Sequence, residues 1–420
     1  MDRRKFVQGA ATASGLLFVK PQTAFSYAAN SRVRWGLLGC GRRGTAVATS
    51  FAKNAGVEIV ALADIFPDQL ARGKQHFDKV NASLGLPAID QRRMFRGHDA
   101  SKAIAACKDV DAVQISTPPF FHVDHLDTVT AGGKHAYCEK PVGVDVPQTR
   151  RALEIGQREN SKVSMAVGFQ IRSAPPFVEL VRRIHAGQIG KIAQIAAYYN
   201  APPAAMVDGI TPGTDEYRLR NWLLYKNLSG DILVEQNIHV IDVCNWVMQS
   251  HPIAAYAKSS RKVIQRPGDT ADNYEIIYTY PDDIEMSFTS TQFNKNHFFD
   301  VSERFFGSEG LADAPYSGAL QIRGTQPWAW SSGAAKPTGQ FAANGDFSDN
   351  LAEADPMKDR DFVQSIVSGK FQNQIAAGVD TARSCIMGRK SAETGRTVTW
   401  QEIEADNDAY SLGMDLKQFS

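Results

Sequence analysis

Glu235, His239 and Asp242 are spaced four and three apart, so a helix through this stretch would set all three near one face. A neutral histidine in such a place can take the proton of an alcohol as hydride leaves its carbon, and a carboxylate one turn away can orient it or hold substrate hydroxyls. Lys140 offers a second group. It stands between Glu139 and Pro141, directly after the apolar run Ala136-Tyr137-Cys138; a lone lysine at a strand end is more often a solvated surface charge, but facing a ligand its ammonium can donate to an oxygen that gains charge. Other chemistry fits the same residues less well. Glu235, His239 and Asp242 have metal-ligand character, but no further His/Cys cluster supports a metal, and a buried histidine satisfied by a carboxylate would serve packing alone.

Such groups act on a substrate only if a fold brings them to a cofactor, and the residues before them describe one. Val33–Leu38 is a short apolar run that leads into Gly39-Cys40-Gly41-Arg42-Arg43-Gly44, and helical character follows from Thr45 to Lys53. In a strand, glycine turn and helix of this kind, Gly39 permits the tight turn, Gly41 lets backbone approach a pyrophosphate, and Gly44 allows close packing of helix on strand. A second buried run, Val57–Ala63, ends at Asp64. Its carboxylate can accept from ribose hydroxyls and would repel a 2′-phosphate, which favours NAD; Arg42 and Arg43 keep NADP open, and a helix cap is the plainer role for Asp64. Residues from about Arg32 to Pro141 therefore read as a dinucleotide-binding Rossmann domain. Its later strands end at Ser116-Thr117-Pro118, followed by His122, and at Glu139-Lys140. Ligands sit at carboxyl ends of strands in such sheets, so Ser116, Thr117, Pro118, His122, Glu139 and Lys140 join the candidate cofactor contacts.

A chain of 420 residues implies at least two domains, and 46 basic against 45 acidic side chains give no electrostatic case for nucleic acid or an anionic membrane surface. A small neutral ligand fits better. Arg3-Arg4-Lys5-Phe6, a small-residue and apolar stretch from Gly9 to Val19, and small residues to Ala29 resemble a twin-arginine export signal, which predicts the export machinery as partner and a periplasmic location. No later run approaches a membrane span, so no stable membrane anchor is expected. The five cysteines include no CxxC pair and do not form a disulfide framework. The division predicted is a signal over 1–30, the Rossmann domain over 31–150, and a substrate and oligomerisation domain over 151–420 whose last segment packs back on the first.

The run from Ser116 through Pro141, with Ser-Thr-Pro, His122, Ala131-Gly-Gly-Lys-His135 and Glu139-Lys140-Pro141, resembles the Gfo/Idh/MocA oxidoreductase family, as does Ala392–Glu402. That family includes glucose-fructose oxidoreductases, inositol dehydrogenases and NAD-dependent glycosidases. The resemblance implies that Lys140 lies beside nicotinamide and substrate. It also matches His239 to the histidine of an Asp-xxx-His pair, with Glu235 where aspartate is usual and Ser229 in place of a glycine. An open sheet face used for homo-oligomer contacts is implied as well.

Beyond Val163–Phe169, a further strand of the first sheet, the chain reaches Gln170, a cofactor candidate, and Arg172, a substrate candidate. Strand-like runs then follow one another without helices between them (192–199, 274–280, 284–291). The fold class is accordingly an α/β Rossmann domain followed by an α+β domain with a large, mainly antiparallel open sheet. Arg220 and Trp222 lie in a stretch rich in groups that donate to hydroxyls and stack on sugar faces. The Gly/Ala/Ser/Pro-rich residues 311–355 read as an irregular arm that rims the pocket or contacts a neighbour. Three functions fit: a NAD-dependent sugar or polyol oxidoreductase with Lys140, His239 and Glu235 as catalytic groups; a glycosidase or lyase that holds NAD tightly and recycles it; and a non-catalytic sugar sensor. An exported enzyme has no ready pool to accept reduced cofactor, which favours tight binding.

Overall fold

A computed structural model of the chain describes residues 32–203, 206–293, 299–331 and 349–420. In the first domain, strand Arg34–Leu38 (β1) is buried from Trp35 onward, as a central strand covered on both faces must be. The glycine turn leads from it into helix Arg42–Ala55 (α1), and the chain returns as Glu58–Asp64 (β2). The pattern repeats through Pro67–Ser83 (α2), Met94–Arg96 (β3), Ala100–Ala106 (α3), Ala112–Ile115 (β4), His122–Ala131 (α4), His135–Cys138 (β5), Val146–Arg158 (α5) and Met165–Val167 (β6). All neighbours pair in parallel, in the order β3-β2-β1-β4-β5-β6. The order reverses between β1 and β4, so their carboxyl ends open the crevice in which a doubly wound sheet binds its ligand.

The second domain begins with Pro175–His185 (α6) and Ile192–Asn200 (β7). Four helices follow, Asp215–Arg220 (α7), Lys226–Ser229 (α8), Asp231–Glu235 (α9) and Ile238–Met248 (α10). Seven strands come next, Ala254–Ser260 (β8), Asn273–Tyr280 (β9), Ile284–Thr291 (β10), Asp300–Gly307 (β11), Gly310–Pro315 (β12), Gln321–Gly324 (β13) and Trp328–Ala329 (β14). The chain then forms Ala354–Val367 (α11), Ile375–Thr394 (α12), Val398–Thr399 (β15) and Trp400–Ala405 (α13). The sheet runs β14-β13-β12-β11-β7-β10-β9-β8-β15 and is antiparallel except where β7 meets β10. Its strands alternate: Tyr274, Ile276, Tyr278 and Tyr280 point into the core, while the outer face exposes the cross-strand pair Tyr256 and Ile277.

Three sequence expectations change here. Residue 150 falls inside α5, and β6 extends the first sheet to residue 167, so the first unit ends later than the predicted boundary. Within residues 311–355 three strands form, because β12, β13 and β14 satisfy one another in an antiparallel meander that composition does not signal; residues 332–348 of that arm, like the export signal, lie outside the described residues. The single helix expected through Glu235, His239 and Asp242 is two, α9 and α10, broken at Gln236-Asn237.

Helix α12 fastens the two units. Arg389, 1% exposed, donates from Nη1 to the carbonyls of Val144 in the first (2.9 Å) and Gly230 in the second (2.8 Å). Arg389→Met keeps most of the packing volume and orphans both carbonyls. The expected cost is about 2–4 kcal/mol, read as a lower urea midpoint; an unchanged midpoint would show that this fastening contributes nothing to stability.

Candidate active site

The glycine turn is dictated by close approach. Gly39 has φ +97°, and a Cβ there would stand 2.5 Å from the Ser116 carbonyl oxygen; a Cβ on Gly44 would stand 2.0 Å from that of Gly39. At Gly41 a Cβ would meet nothing within 4 Å, so the space before the turn is open. Helix α1 starts at Gly41 with no side-chain cap, which leaves its first N–H groups to an anion. A dinucleotide pyrophosphate fits this cradle. Asp64, at the end of β2, accepts from the N–H of Cys40 (2.7 Å) within the turn and of Phe66 (2.9 Å). It therefore holds the turn in shape, and its remaining lone pairs are those a ribose could use; burial pushes its carboxyl pKa up despite both bonds.

Arg42 is exposed, whereas Arg43 folds inward and donates from Nε to Glu139 at 3.2 Å. The glycine turn is thereby tied to the residue before Lys140. The Lys140 ammonium crosses to the second domain, where it donates to Glu235 Oε1 at 2.7 Å and also to the Glu235 carbonyl. The two side chains are only 10% and 12% exposed. Glu235 is presented by α9, whose first residue, Asp231, has φ +78° and accepts from the N–H of Ile232 (2.7 Å) and Ala271 (2.9 Å) and from the Tyr274 hydroxyl (2.9 Å). His239 lies one residue into α10, 5% exposed, with Phe169 edge-on at 6.2 Å. Burial, then the Lys140 and Arg43 cations, hold its imidazole well below its ordinary pKa, opposed by Asp355. The ring is neutral at pH 7 and available as a base. Among the described residues His239 Nδ1, both side-chain polar atoms of Asn237 and, just after β6, Gln170 Oε1 are buried without a hydrogen-bond partner, and an orphaned polar atom is what a bound ligand can satisfy.

Several predicted contacts are turned elsewhere. Both ring nitrogens of buried His122 lie against carbonyl oxygens, Pro141 at 2.7 Å and Thr117 at 2.8 Å; it braces the two loops of the crevice rather than facing into it. Ser116 Oγ accepts from Gln114 at 2.9 Å, Thr117 Oγ1 lies 3.0 Å from His125 Nδ1, and Pro118 opens the short turn Pro119–Phe121. Arg172 is clamped on Asp242 (2.8 and 2.9 Å), which also accepts from Thr381, so Asp242 is turned away from any site shared with Glu235 and His239. Among the described residues no cluster of three such side chains is arranged to hold a metal. Arg220, read as a sugar contact, joins the domains: it pairs with Asp68 (2.6 Å) and Glu216 (2.8 Å) and stacks on Phe66 at 3.8 Å. Trp222 is half-buried at the start of a short turn nearby. Sequence reading missed Asp355 and Lys358, paired at 2.7 Å where α11 meets the first domain, with Lys358 over the Tyr137 ring at 5.0 Å. Lys358 and Arg43 outweigh the effect of burial and bring the Asp355 carboxyl to about 2. Their i, i+3 spacing at a helix start was the available signal.

Comparison with known proteins bears on the fold and the family. Residues 33–167 match the profile of the "Oxidoreductase family, NAD-binding Rossmann fold", and residues 177–313 that of the "GFO/IDH/MocA C-terminal domain". An inositol 2-dehydrogenase of Rhizobium meliloti is 29% identical over 240 residues, which span 57% of this chain and 62% of that relative, under two thirds of its length. Levoglucosan dehydrogenase, solved with NADH and L-sorbose, shares the fold at a TM-score of 0.70 and 19% identity over 88% of this chain and 98% of its own. The aldose-aldose oxidoreductase of Caulobacter crescentus, solved with glycerol, does so at 0.65 and 19% over 88% and 99%.

Gly44→Ala forces a Cβ against the Gly39 carbonyl. NADH affinity, read by fluorescence titration, is expected to fall at least about a hundredfold, with a lower melting temperature. Affinity within about twofold of the parent chain would remove this turn as the cofactor site.

Proposed function

Since the chain belongs to the Gfo/Idh/MocA oxidoreductase family, we propose that it is a NAD-dependent oxidoreductase that takes hydride from a hydroxyl-bearing carbon of a sugar, polyol or glycoside. The observation that carries this reading is that Lys140, Glu235 and His239, drawn from two domains, close together beside the glycine turn at the switch point of the sheet. The names of similar proteins, inositol 2-dehydrogenase and levoglucosan dehydrogenase, favour a cyclic polyhydroxy substrate.

When bound, the nicotinamide supplies the hydride acceptor. Neutral His239 takes the hydroxyl proton, and Lys140 donates a hydrogen bond to the same oxygen as it gains negative charge. Glu235 holds the ammonium in position and accepts from a neighbouring substrate hydroxyl. The closeness of Lys140 also opposes charging of His239, so the proton passes onward to solvent once the product carbonyl has formed.

A second reading rests on Arg3-Arg4-Lys5-Phe6 and the apolar stretch after it. An exported enzyme that returns its hydride within one cycle would oxidise a ring hydroxyl to a ketone, take the proton of the acidified neighbouring carbon as the aglycone leaves the carbon beyond it, add water across the double bond so formed, and reduce the ketone again. Self-association we place on the outer sheet face around Tyr256 and Ile277.

Incubating the purified chain with polyols and glycosides, with and without NAD, separates the readings. Reduced cofactor is expected to accumulate with a polyol and added NAD; aglycone release without net reduction would replace the first reading by the second. Lys140→Met is expected to lower kcat by about 10²–10⁴-fold, and activity within threefold of the parent, on the order of 0.7 kcal/mol, would remove Lys140 from the mechanism. Because the His239 pKa is depressed, its base form persists as pH falls, so the acid limb of kcat/KM is expected below the ordinary histidine value of 6.5. A limb at or above 6.5 would contradict the assignment of the base.

A further inference from the structure

Residues 407–420 cross from one domain to the other. Tyr410 donates its N–H to Asp145 at 2.8 Å, Arg218 of α7 donates to the carbonyls of Leu412 (3.2 Å) and Gly413 (3.0 Å), and Gln418 donates to Asp215 at 2.9 Å. The last turn, Leu416–Phe419, then reaches the first domain at residues that follow the carboxyl ends of β2 and β3. Phe419 meets Phe66 edge-on at 5.5 Å, Ser420 Oγ lies 2.5 Å from His98 Nδ1, and a Cβ on Gly97 would stand 3.2 Å from Ser420 Cα. Phe66 is two residues beyond Asp64, and Asp64 grips both the Phe66 N–H and the glycine turn. In a sheet of this order the adenosine half of a dinucleotide lies over the end of β2.

We propose that residues 407–420 form a strap that closes the adenosine end of the cofactor cleft, with Phe419 on Phe66 as its latch, and that this strap sets how slowly the cofactor leaves. The proposal rests on the assignment of the glycine turn to NAD. Phe66 is a rigid seat for the latch, because Arg220 stacks on it at 3.8 Å and is itself held by Asp68 and Glu216. The strap is anchored at its start, where Asp408 pairs with Lys390, Tyr410 lies under the Arg389 guanidinium at 5.0 Å and bonds buried Asp145, and Asn227 and Arg218 both donate to the Leu412 carbonyl. Its end is held loosely, because Met414, Leu416 and Phe419 are only half-buried and stand outside the hydrophobic core. Segments of that kind open locally without unfolding the rest. Opening frees the end of β2 while Lys140, Glu235 and His239 stay in place, so the strap acts on cofactor residence and not on the chemical step.

The test is the NADH dissociation rate, followed by loss of fluorescence on chase with excess NAD, for the full chain, for a chain ending at Asp408, and for Phe419→Ala. Release is expected to quicken about tenfold in the shortened chain and about threefold in Phe419→Ala, with the melting temperature of the point variant unchanged. Equal rates in all three, with NADH bound by each, would overturn the strap and leave the cofactor assignment standing. A full chain that binds no NADH would overturn both.

Discussion

The ion pair between Lys140 and Glu235 is the contact on which the rest of the structure depends. Its lysine stands at the end of a parallel strand in one domain, its glutamate at the end of a short helix in the other, and the two meet at 2.7 Å with little access to solvent. A buried pair of this kind adds little net stability, because desolvation offsets most of the Coulomb attraction. What it does is fix a geometry: the ammonium that follows β5 is held against the end of α9, beside the crevice at the switch point. Much of the surrounding structure serves that placement. Arg43 ties the glycine turn to Glu139, Asp231 fixes the start of the helix that carries Glu235, and Arg389 joins Gly230 to Val144 across the domain boundary.

Charge around the pair is closely balanced. Lys140, Arg43 and Lys358 face Glu235, Glu139 and Asp355, and His239 sits among them with its Nδ1 unpartnered among the described residues. Had Glu235 oriented the imidazole, as its spacing suggested, the histidine would be easier to charge. Because burial and two cations act on the ring while Glu235 is taken by Lys140, His239 stays neutral. The break between α9 and α10 makes this possible, since it frees the Glu235 side chain from the face that carries His239.

The parts legible in the sequence are those whose physics is local. The glycine turn is set by backbone clashes within a few residues and between adjacent strands, and the buried parallel strands show as apolar runs. The lysine at a strand end needed only short-range reading, whereas the break at Gln236-Asn237 that parts Glu235 from the helix of His239 did not show in their spacing. What was hidden depends on partners far along the chain. Arg172 and Arg220 looked like ligand donors because nothing near them in sequence shows that Asp242 and Asp68 satisfy them. His122 looked like a contact of the crevice, yet its two carbonyl partners brace the loops on either side. Strands β12 to β14 were masked by a composition rich in small residues, since a meander is held by its ladder and needs no strong propensity of its own. Asp355 escaped because it lies at the end of that same stretch, and only folding brings it beside Arg43.

The most direct measurement is a crystal structure of the chain with NADH. The account predicts pyrophosphate on the N–H groups at the start of α1, and the nicotinamide ring between Lys140 and His239, leaving room for a substrate carbon about 3–3.5 Å from its reactive carbon. A nicotinamide lying away from Lys140 and His239, or a cofactor bound outside the crevice between β1 and β4, would contradict it.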